Sequence, residues 1–303
     1  MPVVTSRASE NAKITIDQTK CVNCGLCATI CVNGSMVMKN GKVEISDKTI
    51  LGCFGCGQCV AACPKDAIMV EGRCLSSSDF SPIEKTGKDL EFNDYLKVVA
   101  TRRSIRHFNK NKPVAQETLN KIIEFASYAP PSITPPEIDL LVISGREKVR
   151  DFSFELIDSF KKMKPFISPL ALKIMKPFTG TEKYNGFATF IAPWMNAILE
   201  KREKNENWLL YDAPAMMFFY SSLADNADTY IAATYAMIGA ETLGLGSCMI
   251  GSIAPMIGGA GAKLRNKYRI TSNVKSGLAV IFGYPEYKYR KTIKRTFKSV
   301  RYF

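Results

Sequence analysis

No stretch of the sequence is apolar for long enough to cross a bilayer. Its longest weakly charged run, residues 231–262, carries Glu241 near its middle. It breaks into glycine loops before supplying the about 20 predominantly apolar residues that a span needs. A buried helix followed by a tight loop is expected there, and no membrane span. The first residues, MPVVTSRASENAK, also lack a continuous apolar run, so no secretory signal is expected. Acidic residues are few beside basic ones: 28 Asp and Glu stand against 41 Lys and Arg, a formal charge of +13. The imbalance is local. Residues 1–80 hold 8 basic and 7 acidic residues (+1), which leaves 33 against 21 (+12) for the rest, densest in the C-terminal tail. No nucleic-acid-binding module is recognisable, so the excess is assigned to a solvated face, an acidic partner or anionic cofactors. Histidine occurs once, as His107, and a lone histidine is more often a structural hydrogen bonder than a catalyst. No catalytic residue is assigned.

Cysteine, by contrast, is plentiful: ten in 303 residues, eight of them between Cys21 and Cys63. With no secretory signal, such a concentration speaks for metal binding in a reducing cytoplasm rather than for disulfides. The eight form two runs, Cys21-x2-Cys24-x2-Cys27-x3-Cys31 and Cys53-x2-Cys56-x2-Cys59-x3-Cys63-Pro64, each cysteine matched by another 32 positions on. Three thiolates at this spacing wrap one 4Fe–4S cluster from a single loop, and the fourth points away to ligate the other cluster. The expected ligand sets are Cys21, Cys24, Cys27 and Cys63 for one cluster, and Cys53, Cys56, Cys59 and Cys31 for the second. A pair of structural zinc sites is the competing reading, but zinc modules usually split their ligands into two separated pairs. Residues 36–45 alternate around Asn40-Gly41, a hairpin signal. Residues 12–73 resemble the bacterial two-cluster ferredoxins, departing at Val32, where that family often has proline. Cys74 and Cys248 fall outside the pattern and are expected to be small buried hydrophobes.

Residues 75–90 are polar and aperiodic and read as linker. The organisation expected is a 1–78 ferredoxin-like domain, a 79–90 linker and a 91–303 domain. Beyond the linker, Leu119, Ile122, Ile123 and Ala126 fall on one helical face, 138–143, 213–220 and 278–282 read as strands, and 230–243 as a largely buried helix. The helix-prone, aromatic and basic segment 150–208 reads either as a lid or as a packing insertion. Four features follow in order. Arg102-Arg103-Ser104-Ile105-Arg106 offers charged forks and a hydroxyl to a phosphate. Ala129-Pro130-Pro131-Ser132 precedes a strand, and Asp212-Ala213-Pro214-Ala215 opens one. The glycines of 243–252 allow a backbone to approach a flat ring system, without forming the dinucleotide fingerprint.

In order and content these segments resemble the nitroreductase family of FMN enzymes, over about residues 92–292. The fold class implied is α+β: a small ferredoxin-like domain followed by a nitroreductase-like α+β sandwich, whose homodimer builds two FMN sites at the subunit interface. By position, Arg102, Arg103, Ser104 and Arg106 match the phosphate-binding segment, Ile250 and Gly251 the loop beside the isoalloxazine ring, and Lys288 and Arg290 a late basic pair reaching the phosphate. Thr134 and Pro136 stand where the family commonly has Asn and Gln, which alters a polar contact to the flavin ring. The expected cofactors are thus FMN and two 4Fe–4S clusters. Electrons would enter the clusters singly and leave from FMN as a pair to a small-molecule acceptor, a nitroaromatic, quinone or activated alkene. Reduced ferredoxin or flavodoxin, commonly acidic, is the expected donor. The alternatives are an electron-transfer module serving a protein partner, and an NAD(P)H-driven reductase whose clusters sense or stabilise.

Overall fold

The computed structural model describes residues 11–46, 48–49, 52–73, 75–82, 91–132, 136–161, 168, 171, 173–174, 181–223, 227–260, 262–270, 273–293 and 295–303. The chain divides into two compact units, residues 1–90 with 131–136, and residues 91–130 with 137–303.

In the first unit four short strands make two antiparallel ribbons. β1 (Lys13–Ile16) pairs with β4 (Ile68–Glu71), and β2 (Met36–Lys39) with β3 (Lys42–Ile45). The second ribbon turns at Asn40 and Gly41, both at positive φ (51° and 76°), the geometry for which Asn-Gly is favoured. Helices α1 (Leu26–Ile30) and α2 (Gln58–Ala61) each start after a left-handed glycine, Gly25 and Gly57. The duplication therefore runs through the backbone as well: these glycines, like the strand starts Met36 and Ile68, stand 32 positions apart. The core is small: Ala12, Met36, Val43, Ile68 and Val70, closed by Cys27 and Cys59. A unit of this size gains no more than about 3–5 kcal/mol from its apolar core and needs further staples.

The linker begins later than the sequence pattern indicates. Leu75 and Gly72 exchange backbone hydrogen bonds of 2.9 and 3.1 Å. Ser77–Asp79 forms a 3₁₀ turn closed by a capping box, in which the Ser76 amide donates to the Asp79 carboxylate at 2.7 Å. Phe80 fills the space where Gly57 has no side chain, since a Cβ there would meet its ring at 2.8 Å. Residues 75–80 thus belong to the first unit, while 83–90 and Cys74 lie outside the described residues.

The second unit is built on an antiparallel sheet ordered β5-β6-β8-β7: β5 (Asp139–Ser144), β6 (Ala215–Ser221), β8 (Ser276–Gly283) and β7 (Gly246–Ile250). Every residue of β6 and β8 is buried, so both read as continuous apolar runs instead of alternating ones. Met216, Phe218, Ala279 and Ile281 face one core, with Phe152 and Leu156 of α5 (Arg146–Ser159). Met217, Phe219, Val280 and Phe282 face the other, with Leu119 and Ile122 of α4 (Gln116–Ser127) and Ala233 and Ala236 of a helix at Ala227–Thr242. The result is the expected α+β sandwich, helices on both faces of a sheet. One expectation fails: 246–250 is a strand, not part of a loop. No helix among the described residues is long and apolar enough to cross a membrane.

Candidate functional site

The two cysteine runs place their thiols alike. Cys24 and Cys56 are exposed, Cys27 and Cys59 buried, and Cys21, Cys31, Cys53 and Cys63 half-buried. Each loop is bent by two positive-φ residues, Asn23 and Gly25 in the first, Gly55 and Gly57 in the second. Cys21, Cys24, Cys27 and Cys63 line one cavity over Val43 and Ile68. The other four also lie together. Burial pushes the Cys59 thiol up to about 11, and the neighbouring Cys53, Cys56 and Cys31 push the same way against the Val60 amide. Free thiolates are disfavoured in such surroundings, so the foursomes suit a group that supplies compensating positive charge. No three such side chains among the described residues converge closely enough for a single metal ion. Backbone amides already point at sulfur, Gly55 to Cys53 Sγ at 3.4 Å and Ala67 to Cys63 Sγ at 3.3 Å.

In the second unit the segment after α3 (Phe92–Thr101) is laid along the sheet edge. Ser104 bridges Ser247 of β7, the Ile105 amide donates to the Ser247 carbonyl at 2.9 Å, and Phe108 bridges Pro285 just beyond β8. Two glycines make room for it. A Cβ at Gly246 would overlap Ile105, and one at Gly283 would meet Phe108 at 2.6 Å. These glycines are register partners across β7 and β8. The space a side chain would take at Gly246 is therefore filled by Ile105, whereas Gly251 has open space around it. Gly246→Ala and Gly283→Ala are each expected to cost about 1–3 kcal/mol of stability through overpacking. Gly251→Ala should stay within about 0.5 kcal/mol. Denaturant midpoints check both, and equal loss at all three would contradict the packing.

Anchoring Ile105 fixes where the polar side chains go. Arg102, Ser104 and Arg106 converge on the thiol of Cys248, which burial pushes up while Arg106, Ser104 and Arg102 pull it down. Arg103 leaves this group: its guanidinium donates to the Lys291 carbonyl and lines a cavity of about 420 Å³ shared with Lys288, Glu241 and Tyr287. Arg106 also borders a larger cavity of about 630 Å³, with Ile250, Gly251, Trp194, Trp208 and Tyr211. Segment 150–208 thus supplies an aromatic wall of this cavity. Arg106 stacks over Tyr211 at 5.7 Å. Tyr211 and Asp212 hold consecutive left-handed conformations (φ 53° and 49°), costly for non-glycine residues. Arg150 pairs with the Asp212 carboxylate at 2.8 Å, and Arg146 donates to its carbonyl. His107 packs edge-on against Tyr287 at 5.7 Å, a structural placement. Arg290 lies exposed in the tail, one residue before the Lys291 carbonyl that Arg103 holds, and Thr134 lies outside the described residues.

Three features have no motif in the sequence: the aromatic wall, the Arg146–Arg150 brace, and a buried arginine, Arg73, beside the second cysteine loop.

The sequence model of the nitroreductase family matches residues 99–284, and that of a 4Fe-4S dicluster domain matches residues 20–68. The N-terminal part is 32% identical over 78 residues to NADH-quinone oxidoreductase subunit I 2 of Geobacter metallireducens, covering 23% of this chain and 60% of that protein. It is 32% identical over 62 residues to an uncharacterized ferredoxin of Methanocaldococcus jannaschii, covering 20% of this chain and 78% of that one. Among solved structures, an FMN-bound nitroreductase from Bacteroides fragilis shares the fold, with TM-score 0.50 and 18% identity over 69% of this chain and 99% of that chain. An FMN-bound nitroreductase from Desulfitobacterium hafniense aligns with TM-score 0.47 and 21% identity over 70% of this chain and all of that one (100%).

Proposed function

The chain belongs to the nitroreductase family, and from that premise we propose that it is an iron–sulfur flavoprotein oxidoreductase passing electrons from two 4Fe–4S clusters to FMN and on to a small organic acceptor. One observation carries this: a single chain joins eight thiols grouped in two foursomes to a sandwich in which Arg106, acting with Arg102 and Ser104 on the Cys248 thiol, borders an aromatic cavity of about 630 Å³. The residues fit the groups. Arg102, Ser104 and Arg106 would hold the FMN phosphate through charge-assisted hydrogen bonds. The strand end at Ile250 and the open Gly251 would lie along the ring system, and Trp194, Trp208 and Tyr211 would exclude water and stack on a planar acceptor. Bound FMN would supply the exchange between single electrons and electron pairs, ending in hydride delivery to a nitroaromatic, quinone or activated alkene.

A homodimer is part of the same proposal. On α3, Phe92, Tyr95, Leu96 and Val99 recur at helical spacing, each at least 49% exposed, an apolar stripe that a second copy would cover. The donor is taken to be an acidic reduced ferredoxin or flavodoxin, attracted by the +12 charge beyond residue 80. A cytoplasmic location belongs to the same reading, since thiols that must stay reduced suit a reducing compartment. Purified anaerobically, it is expected to carry about eight iron and eight sulfide per chain and one FMN. Zinc in place of iron and sulfide would overturn the cluster assignment. Faster flavin bleaching by NAD(P)H than by reduced ferredoxin would overturn the donor.

A further inference from the structure

The duplication supplies an internal control for the two cysteine sites, and a buried charge, that of Arg73, sets the second apart. Arg73 is only 7% exposed and holds a left-handed φ of 54° in the turn that Gly72 and Leu75 close with mutual backbone hydrogen bonds. Its guanidinium lies 5.8 Å over the ring of Phe54, the residue after Cys53. Its Cβ would be 3.4 Å from a side chain at Gly55, so the arginine is packed against the Cys53–Phe54–Gly55 loop. The position 32 residues earlier is Gly41, at the tip of the β2–β3 hairpin. Among the described residues lining the cavity of the first site, the cation is Lys65, which is exposed, so that solvent screens its charge. Amide-to-sulfur hydrogen bonds do not distinguish the sites: among the described residues, the Gly55 amide meets Cys53 at 3.4 Å and the Ala67 amide meets Cys63 at 3.3 Å.

Resting on the reading of these cysteines as cluster ligands, we infer that Arg73 makes the cluster of Cys53, Cys56, Cys59 and Cys31 the easier of the two to reduce. Reduction adds one electron to a cluster already held by four thiolates. A buried positive charge against that loop stabilises the added charge more than a screened one can. An electron entering the first unit would come to rest on the second cluster, which gives the pair a direction.

The test is an anaerobic redox titration of the full-length holoprotein with carbon-13-labelled cysteine, followed by electron paramagnetic resonance and by the paramagnetically shifted cysteine signals. In the unaltered protein, signals of Cys53, Cys56, Cys59 and Cys31 should move first, and those of Cys21, Cys24, Cys27 and Cys63 second. The reverse order, or simultaneous movement, overturns the inference without any variant. In Arg73→Gln the earlier step should shift about tenfold in its reduced-to-oxidised ratio at fixed poise, about 59 mV for one electron, while the later step holds. Arg73→Lys should keep most of the separation; a merely structural role would not be rescued this way. Both steps unchanged in Arg73→Gln also overturns it. Iron and sulfide counted on the same samples separate the failures: no clusters in the unaltered protein sinks the cluster reading and this inference together, and clusters reduced in the wrong order sink this inference alone.

Discussion

Deleting residues 1–90 is expected to bring turnover driven by reduced ferredoxin down to background, while flavin reduced by light or dithionite still passes electrons to a nitroaromatic or quinone. The cut falls at 90 and not at 78 because Phe80 packs at Gly57 in the first unit, and a deletion ending at 78 would leave its ring without that cover. The second unit keeps its own two cores, one on each face of the sheet, and is expected to fold and bind FMN. Equal ferredoxin-driven turnover in the truncated and full-length proteins, at matched FMN content, would end the relay proposal. Loss of FMN together with thermal stability would make the first unit a buttress instead.

The second large effect separates neighbouring arginines. Arg106→Ala removes a charge-assisted contact to the FMN phosphate, worth about 1.5–3 kcal/mol, or roughly one to two decades of affinity. Arg103→Ala removes a donor to the Lys291 carbonyl on the other side of the segment, so FMN affinity should change less than about threefold, with about 0.5–1.5 kcal/mol lost from stability. Riboflavin, which has no phosphate, should bind both variants and the unaltered protein alike. Equilibrium dialysis of the apoprotein against each flavin measures all of this. Equal FMN loss in the two variants would show that the phosphate is held from both sides of the segment.

What could be read in advance follows from how local each determinant is. The cysteine runs are legible because cluster ligation fixes their spacing within one loop. The β2–β3 hairpin is legible because Asn40-Gly41 meets a backbone demand at that spot. Strands β6 and β8 announce themselves as unbroken apolar runs, being covered on both faces. The strand at Gly246–Ile250 hides because its first glycine answers a neighbour distant in sequence, Ile105, and not a local need for flexibility. The split between Arg103 and its neighbours depends on the bridge from Ser104 to Ser247, which no composition rule foresees. The capping signal at Ser76-x-x-Asp79 was present in the sequence, and reading 75–90 as linker passes over it. Arg73 lies ten positions past the last cysteine of the repeat, so no ligand motif points to it.

The facing glycines of β7 and β8 also constrain how this sequence can drift. Each is the mould for a side chain elsewhere, Gly246 for Ile105 and Gly283 for Phe108. Side-chain bulk gained at one member of a pair must be surrendered at the other, so tolerated changes there should arrive as compensated doubles. Arg102, Ser104 and Arg106 are free of that exchange and free to specialise. Their geometry is nonetheless inherited from two residues that never touch a ligand.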